Sequence, residues 1–332
     1  IYTLSLHDAL PISISTFNNC TDARAMFWNT KIVNLSLPEA TFGGLVSRGE
    51  IFSSMPQLET ISLPKATFAN LTFNGGAGGG VDYGVFYNCP KLQSVSLPEA
   101  TFASLQDASG MFWKCTLLQS VSMPKATLAN TTVAKGMFNA CSNLESVSWQ
   151  QATFASLQNA NGMFANCAKL TTIEWSAALN LNNITSLGNI GGSGADNYGI
   201  FYGCSLLPNS AIAPFANFTF ANCTQLINAF SECYALTKID LHSATFANLT
   251  TCWGAFYNSN NVIEIDLSSA TFAKVNTTHF LGYNAFQNLN ALTTIKVPTN
   301  STAILPTSTA SNAPLYIGQS PLNYQSMVDI AN

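Results

Sequence analysis

The feature that most constrains this chain is a repeated pattern of about 26 residues, which is clearest over residues 111–157. Its skeleton is Met-Phe-x-x-Cys-x-x-Leu-x-x-Val-x-Leu-Pro-x-Ala-Thr-Phe-Ala-x-Leu. Self-similarity at a fixed period predicts one stacked array in place of several globular domains. The first phenylalanine of the pattern, called the repeat Phe below, recurs at Phe27, Phe52, Phe86, Phe112, Phe138, Phe164, Phe201, Phe230, Phe256 and Phe286.

Each repeat divides into short local elements. The segment Leu-x-x-Val-x-Leu, as at Leu92, Val95 and Leu97, ends in an alternation of apolar and polar residues that predicts a strand. Pro98 ends that strand, because proline has no amide hydrogen for a ladder. Residues 100–105 alternate again and predict a second short strand. The Met-Phe-x-x-Cys segment is short enough to form one helical or 3-10 turn.

Cysteines follow the same period. One repeat alone buries too little apolar surface to offset its ordering entropy, so repeats must stack and equivalent residues form columns. We therefore predict a column of buried free thiols, in preference to disulfides or metal ligands. Cys20 and Cys223 take a position that leucine holds elsewhere and should also be core, whereas Cys252 fits neither column. The column contains Cys89, Cys115, Cys141, Cys167, Cys204 and Cys233.

The composition excludes several classes of function. Only 8% of residues are charged, against roughly 25% in a typical soluble domain, and the net charge is −4. No basic field is available for nucleic acid or an anionic membrane, and no apolar run is long enough to span a membrane. His242 and His279 lie in separate repeats and make poor partners for a nucleophile. We predict no enzymatic activity, no cofactor and no metal site.

Three segments are expected along the chain. Residues 1–13 match no repeat and resemble a translated sequencing adapter, so they are set apart as a non-native segment. Residues 14–298 form the repeat array. Residues 299–332 begin as a connector rich in Pro, Ser and Thr, and then look like the start of a C-terminal cap or a further module.

The outward position between Val and Leu of the first strand changes from serine to charged residues along the chain. Asp240 and Asp266 are predicted to be direct neighbours at about 5 Å, where like charges repel. This pair is either a site for a cation or a basic partner, or a solvated face beside a Lys238–Glu264 pair. The full series is Ser36, Ser62, Ser96, Ser122, Ser148, Glu174, Ala211, Asp240, Asp266 and Lys296.

Charges also alternate after the repeat proline, as Glu39, Lys65, Glu99 and Lys125. Neighbouring coils would pair them, and we interpret the alternation as specifying the register of the stack. Each such surface pair is worth at most about 1 kcal/mol.

Aromatic residues supply a further set of candidate contacts. They directly follow the repeat Phe, where they either bind sugars or pack against each other between coils. Glycine-rich insertions at residues 74–84 and 188–199 carry Tyr83 and Tyr198 and are either binding loops or plain insertions. The aromatic residues after the repeat Phe are Trp28, Tyr87, Trp113, Tyr202 and Tyr257.

The Phe-x-x-Cys-x-x-Leu-x-x-Val-x-Leu-Pro skeleton, complete at residues 86–98 and 112–124, resembles the BspA-like leucine-rich repeats of bacterial surface proteins. The resemblance implies a β-rich solenoid: a right-handed superhelix of about ten coils with a parallel β-sheet on its concave face. It also implies a non-enzymatic surface or secreted protein that binds a protein or glycan, often as an adhesin. A structural or receptor-binding component of a gut phage, and a targeting appendage of a larger enzyme, are the alternatives.

Overall fold

The computed structural model describes residues 19–46, 49–72, 84–189, 198–270 and 285–296. Within these ranges nine three-residue strands form two parallel sheets, ordered β1-β2-β3-β4-β5-β6 and β7-β8-β9. The predictions for residues 1–13, residues 299–332 and Tyr83 lie outside the described residues. The strands are β1 (Asn34–Ser36), β2 (Thr60–Ser62), β3 (Ser94–Ser96), β4 (Ser120–Ser122), β5 (Ser146–Ser148), β6 (Thr172–Glu174), β7 (Lys238–Asp240), β8 (Glu264–Asp266) and β9 (Thr294–Lys296).

Equivalent residues of successive repeats pair in register. Val95 lies opposite Val121, which lies opposite Val147, and the residues on either side of each valine pair in the same way. The central residue of β1 to β8 is buried, because alternate side chains of a strand point to opposite faces. The prediction of a parallel β-solenoid is therefore confirmed.

The seventh coil interrupts the sheet, and a proline explains why. In earlier coils the residue after the repeat leucine donates to the preceding coil, as Thr171 N does to the carbonyl oxygen of Glu145 at 3.0 Å. Pro208 occupies this position and has no N–H to donate. The chain instead forms a one-turn helix, α1 (Asn209–Ile212), followed by a 3-10 segment over Ala213–Asn217. The prediction that Ala211 is an outward strand residue is wrong, since it lies in α1 and is 2% exposed.

The side chain of Asn209 restarts the ladder after this interruption. Its Oδ1 accepts hydrogen bonds from Thr237 N at 3.0 Å and Lys238 N at 3.2 Å. One coil later, the main-chain oxygen of Thr237 accepts the equivalent pair, from Ile263 N at 2.7 Å and Glu264 N at 3.3 Å. The carboxamide of Asn209 thus substitutes for the carbonyl of the absent strand at the start of β7.

The prediction of a second strand over residues 100–105 is wrong. Phe102 has φ 48°, in the left-handed region, and Leu105 N donates to its carbonyl oxygen at 3.1 Å. The segment is a tight turn that directs Phe102 and Leu105 into the core, so their inward positions arise from turn geometry and not from a strand pleat. The Met-Phe-x-x-Cys segment is also a turn, in which Cys115 N donates to the Phe112 oxygen at 3.1 Å.

Two ladders of phenylalanine rings run through the core. All ten repeat Phe residues are buried, and neighbouring rings lie with their centroids between 5.1 and 6.0 Å apart. A second ladder comes from the Ala-Thr-Phe turn, where Phe68 stacks on Phe42 at 5.2 Å and on Phe102 at 5.4 Å. Each aromatic pair contributes about 0.5–1.5 kcal/mol beyond area burial, so the ladders bind coil to coil.

The cysteines that follow the repeat Phe form one buried column. Each thiol donates to the carbonyl oxygen of the repeat Phe in the preceding coil, at 3.0 to 3.2 Å. Ser259 takes the cysteine position in a later coil and its Oγ donates to Phe230 O at 2.6 Å. The column fills space in the core and gives each of these carbonyl oxygens a hydrogen-bond donor. All nine cysteines of the chain are free thiols.

Of the remaining cysteines, Cys223 and Cys252 are buried, whereas Cys20, also predicted to be core, is only partly buried and packs against the core. Cys223 N donates to Phe220 O at 3.0 Å, as Leu105 N does to Phe102 O, so Cys223 occupies the predicted leucine position. Cys252 follows the bridging residue Thr251 and is 3% exposed. The same place is filled by buried alanines and leucines in other coils, which assigns Cys252 to an apolar column.

Glycines mark where an inserted segment leaves and rejoins the stack. A Cβ atom added at Gly188 would overlap the carbonyl oxygen of Ile227, and one added at Gly199 would overlap that of Asn228. The backbone of the seventh coil therefore approaches the next coil too closely for any side chain at these two positions.

Candidate binding surfaces

The outward side chains of β1–β6 form a continuous polar surface, which we call the hydroxyl face. It has two rows: Asn34, Thr60, Ser94, Ser120, Ser146, Thr172, and Ser36, Ser62, Ser96, Ser122, Ser148, Glu174. The hydroxyls of its serines make no hydrogen bond to another side chain or backbone group within the described part of the chain. Thr60 Oγ1 donates to Asn34 Oδ1 at 2.5 Å. Parallel strands lie about 4.8 Å apart, so the free hydroxyls repeat at that spacing.

Glu174 is the one charged residue of the hydroxyl face. It is exposed, lies opposite Ser148, and belongs to the last strand before the interruption at Pro208. A ligand that extends along the serines of the hydroxyl face would meet its carboxylate at that end.

The outward side chains of β7–β9 are mostly charged, and we call this surface the charged face. Asp240 lies directly opposite Asp266, as predicted. Lys238 Nζ lies 3.1 Å from both Asp240 Oδ2 and Glu264 Oε1, which confirms the Lys238–Glu264 pair. Lys296 Nζ lies 2.7 Å from Glu264 Oε1 and 3.4 Å from Asp266 Oδ2. The two aspartates are thus neutralised by lysines of the same face.

The pKa directions follow from these contacts. Partial burial opposes ionisation of Asp240, but hydrogen bonds with His242 and Lys238 outweigh it and lower the pKa of Asp240. His242 Nδ1 lies 2.7 Å from Asp240 Oδ1. Hydrogen bonds from Lys296 and then Lys238 lower the pKa of Glu264. The carboxylates are therefore committed to internal partners, and the geometry favours the solvated face over a cation site.

Alternating charges after the repeat proline form the expected cross-coil pairs. Lys65 Nζ lies 2.5 Å from Glu39 Oε2, and Lys125 Nζ lies 2.6 Å from Glu99 Oε2. All four side chains are about half exposed, so each pair adds little stability and mainly favours one register.

The aromatic residues after the repeat Phe differ widely in exposure. Trp28 is 57% exposed, whereas Trp113 is only 9% exposed and meets Tyr87 edge to face at 5.6 Å. Lys114 Nζ lies 5.2 Å from the Trp113 ring centre and 5.8 Å from that of Tyr87. Trp113 and Tyr87 therefore pack against each other and a lysine, while Trp28 remains open to solvent.

Tyr202 and Tyr198, the latter at the end of the second glycine-rich insertion, lie together. Their ring centres are 5.0 Å apart, and Tyr202 Oη donates to Glu232 Oε1 at 3.3 Å. Glu232 was not singled out from the sequence, although it alone supplies a carboxylate two residues after a repeat Phe, where asparagine is the most frequent residue. Asn209 was also missed, because its role depends on where Pro208 ends the preceding ladder.

Among the described residues, no three or more His, Cys, Asp or Glu side chains are grouped so that they could hold a metal ion. None of the helical segments in these same ranges is long and apolar enough to cross a membrane.

A family model for the BspA type leucine rich repeat region matches six copies over residues 80–189 and 197–312. These ranges cover more than half of the 332-residue chain. The chain belongs to the BspA-type leucine-rich repeat family. The ten repeat Phe residues and the cysteine column are thus the internal landmarks of a BspA-type array. A search of curated proteins found no match.

Solved leucine-rich repeat structures are similar over most of the chain. A leucine rich cell surface protein from Faecalibacterium prausnitzii is 16% identical, with a TM-score of 0.30, covering 84% of this chain and 82% of that one. A leucine-rich repeat protein from Bacteroides ovatus is 17% identical, with a TM-score of 0.26, covering 83% and 76%. An internalin from Listeria monocytogenes is 12% identical, with a TM-score of 0.24, covering 81% of each. The family assignment rests on the family model.

Proposed function

We propose that this chain is a non-enzymatic binding module of a bacterial surface or secreted protein, and that its hydroxyl face binds a neutral glycan. The observation that carries the proposal is the pair of outward rows on that face, with serine hydroxyls that have no partner in the described chain on five consecutive strands, β1–β5. A hydroxyl both donates and accepts hydrogen bonds, which suits it to another hydroxyl-rich molecule.

A protein ligand is less well matched to the hydroxyl face. Protein interfaces concentrate binding energy in Trp, Tyr and Arg and are rich in aromatic residues and Met. The outward residues of β1–β6 include none of these, and Glu174 is their only charge. Binding would therefore come from many hydrogen bonds of similar strength rather than from a few anchors.

The free thiols are compatible with a location outside the cell. Reaction with oxidants requires the thiolate, and burial raises the pKa of Cys223 and Cys252 to about 12. Burial also raises the pKa of Cys115 and Cys167 well above the ordinary value. Such thiols resist oxidation even where disulfides usually form.

The test is a screen of neutral and charged glycans on an array, followed by calorimetry on any ligand found. Ser122→Arg places a bulky charge in the middle of the hydroxyl face, and we expect it to weaken binding at least tenfold, about 1.4 kcal/mol. Ser156→Arg, in a turn away from the sheet, is the matched control and should bind like the original chain. Binding only to proteins, or equal effects of the two substitutions, would contradict the proposal.

A further inference from the structure

Four tyrosines and one glutamate lie together on the turns around the repeat Phe, apart from the strands of the hydroxyl face. We call Tyr198, Tyr202, Glu232, Tyr234 and Tyr257 the Tyr–Glu cluster. Tyr198 and Tyr202 are in ring contact at 5.0 Å, and Tyr202 Oη donates to Glu232 Oε1 at 3.3 Å. Tyr234 is 39% exposed, and Glu232 N donates to the main-chain oxygen of Tyr257 at 2.8 Å.

Two phenols of the cluster, those of Tyr202 and Tyr234, are held in the neutral form. Burial and then the charge of Glu232 raise the pKa of Tyr202 to about 12. The same two causes raise the pKa of Tyr234, with smaller effects from Cys233 and Tyr257. Neutral phenol rings present electron-rich faces, so the cluster combines aromatic faces with one negative charge.

Glu232 lies beside a coil whose equivalent position carries no side chain. The equivalent residue of the preceding coil is Gly203, which has no side chain and whose φ of 71° favours glycine. Within the described ranges, no lysine, arginine or histidine lies within ion-pair distance of Glu232. Among the residues that the structure describes, its carboxylate accepts a side-chain hydrogen bond from the hydroxyl of Tyr202 alone.

An equivalent position four coils earlier shows how the fold fills such a site when it supplies the cation itself. Lys114 also lies two residues after a repeat Phe, with φ 65° against 60° for Glu232. Its ammonium group sits over Tyr87 and Trp113 at 5.8 and 5.2 Å. Aromatic rings at this surface thus accept an ammonium group, an attraction of about 0.5–2 kcal/mol depending on solvation.

We propose that the Tyr–Glu cluster binds an alkylammonium group that another molecule supplies. The aromatic faces attract the cation, and Glu232 provides a negative charge for which the described residues supply no cation. The group is carried either by a small amine or by a lysine side chain of a partner. The site lies on turns that follow the repeat Phe, so it is independent of glycan binding by the hydroxyl face.

The test is calorimetric titration with tetramethylammonium and with N-acetyl-lysine methylamide, using N-acetyl-norleucine methylamide as the uncharged control. We expect both cations to bind and the norleucine compound not to bind. Glu232→Gln should weaken cation binding at least fivefold, and Lys114→Gln should leave it unchanged. A lysine-rich peptide that binds at least tenfold more tightly than the single lysine would identify a protein source, whereas equal binding would identify a small amine.

A second variant keeps the test decisive. Glu232→Lys should abolish binding, because the new side chain would place its own ammonium over the tyrosines, as Lys114 does over Tyr87 and Trp113. Lysine tolerates this backbone conformation at residue 114, so the variant should fold with unchanged circular dichroism. The proposal is overturned if neither cation binds, if the norleucine compound binds equally, or if both Glu232 variants bind like the original chain.

Discussion

At the scale of single residues, a buried side-chain hydrogen bond that recurs through the core joins a cysteine thiol to a main-chain carbonyl. It recurs from Cys89 to Cys233, and Ser259 preserves it with a hydroxyl. A thiol suits this position because it fills apolar volume and still offers a weak donor. Of the nine cysteines, only Cys20 is not buried.

Thiol labelling tests this packing. In native protein at pH 8, we expect a thiol reagent such as dithionitrobenzoate to modify Cys20 alone, because the other eight thiols are buried and out of its reach. In denaturant all nine should react. The modified cysteines are identified by peptide mass spectrometry, and native labelling within the column from Cys89 to Cys233 would show that the repeats do not stack as described.

At the scale of elements, the largest departure from the repeat is the replacement of a strand by α1 and the following 3-10 segment. Pro208 ends one ladder and Asn209 begins the next. The carbonyl oxygen of Ala211 in α1 accepts from Trp175 Nε1 at 2.8 Å, which ties the interruption to the coil before it. The side chain of Asn209 therefore contributes to the register of β7, beside backbone contacts such as Ala235 N to Ser205 O.

Substituting Asn209 should destabilise β7 selectively. Asn209→Leu removes the acceptor for Thr237 N and Lys238 N, and we expect a loss of about 1–2 kcal/mol in the free energy of unfolding. Amide exchange at Thr237 and Lys238 should accelerate more than exchange in β3. Asn209→Asp keeps an acceptor oxygen and should cost less, so equal losses for the two variants would refute the carbonyl-substitute role.

The charged face should make β7–β9 sensitive to acid. The pKa values of Asp240 and Glu264 are lowered in the folded chain from ordinary values of 3.8 and 4.5. Their stabilising effect is present above those ordinary values and is lost as pH falls through the lower folded pKa values. Between pH 6 and pH 3, amide protection corrected for intrinsic exchange should fall in β7–β9 more than in β3–β5.

The serine strands serve as the internal control for this experiment, since the outward residues of β3–β5 carry no charge. Lys296→Met, which removes the partner of Glu264 and Asp266, should reduce the acid dependence. Equal loss of amide protection in both sheets would mean that the ion pairs do not determine the acid sensitivity of β7–β9.

At the scale of the whole molecule, stability comes from contacts between neighbouring coils. Strands pair one repeat apart, repeat Phe rings stack one repeat apart, and thiols bond one repeat back. In such a linear array, each coil depends on its two neighbours and on little else.

Deletion of one full period should therefore be tolerated. Removing residues 111–136 joins Gly110 to Met137 and brings Phe86 next to Phe138 in the same column. We expect a folded, shorter array with a lower melting temperature, measured by circular dichroism. An unfolded product from this full-period deletion would contradict the nearest-neighbour account.

Periodic residues were predictable because each column repeats the same environment many times. The repeat Phe, the cysteine column and the strand centred on Val95 follow from the period alone, as do the pairs between Lys65 and Glu39 and between Lys125 and Glu99. The error at residues 100–105 has a physical cause. Alternating apolar residues fit a strand pleat or a tight turn, and only the backbone conformation at Phe102 distinguishes the two.

The sequence by itself determined the stacked parallel array, the landmarks of its core and its family, because a fixed period leaves one way to bury every repeat. Tertiary structure alone decided where the sheet is interrupted, that Asn209 restarts it, and which tyrosines meet Glu232. Those features depend on single residues that occur once, and their effect is set by neighbours one coil away in space. A pattern averaged over ten repeats does not carry that information.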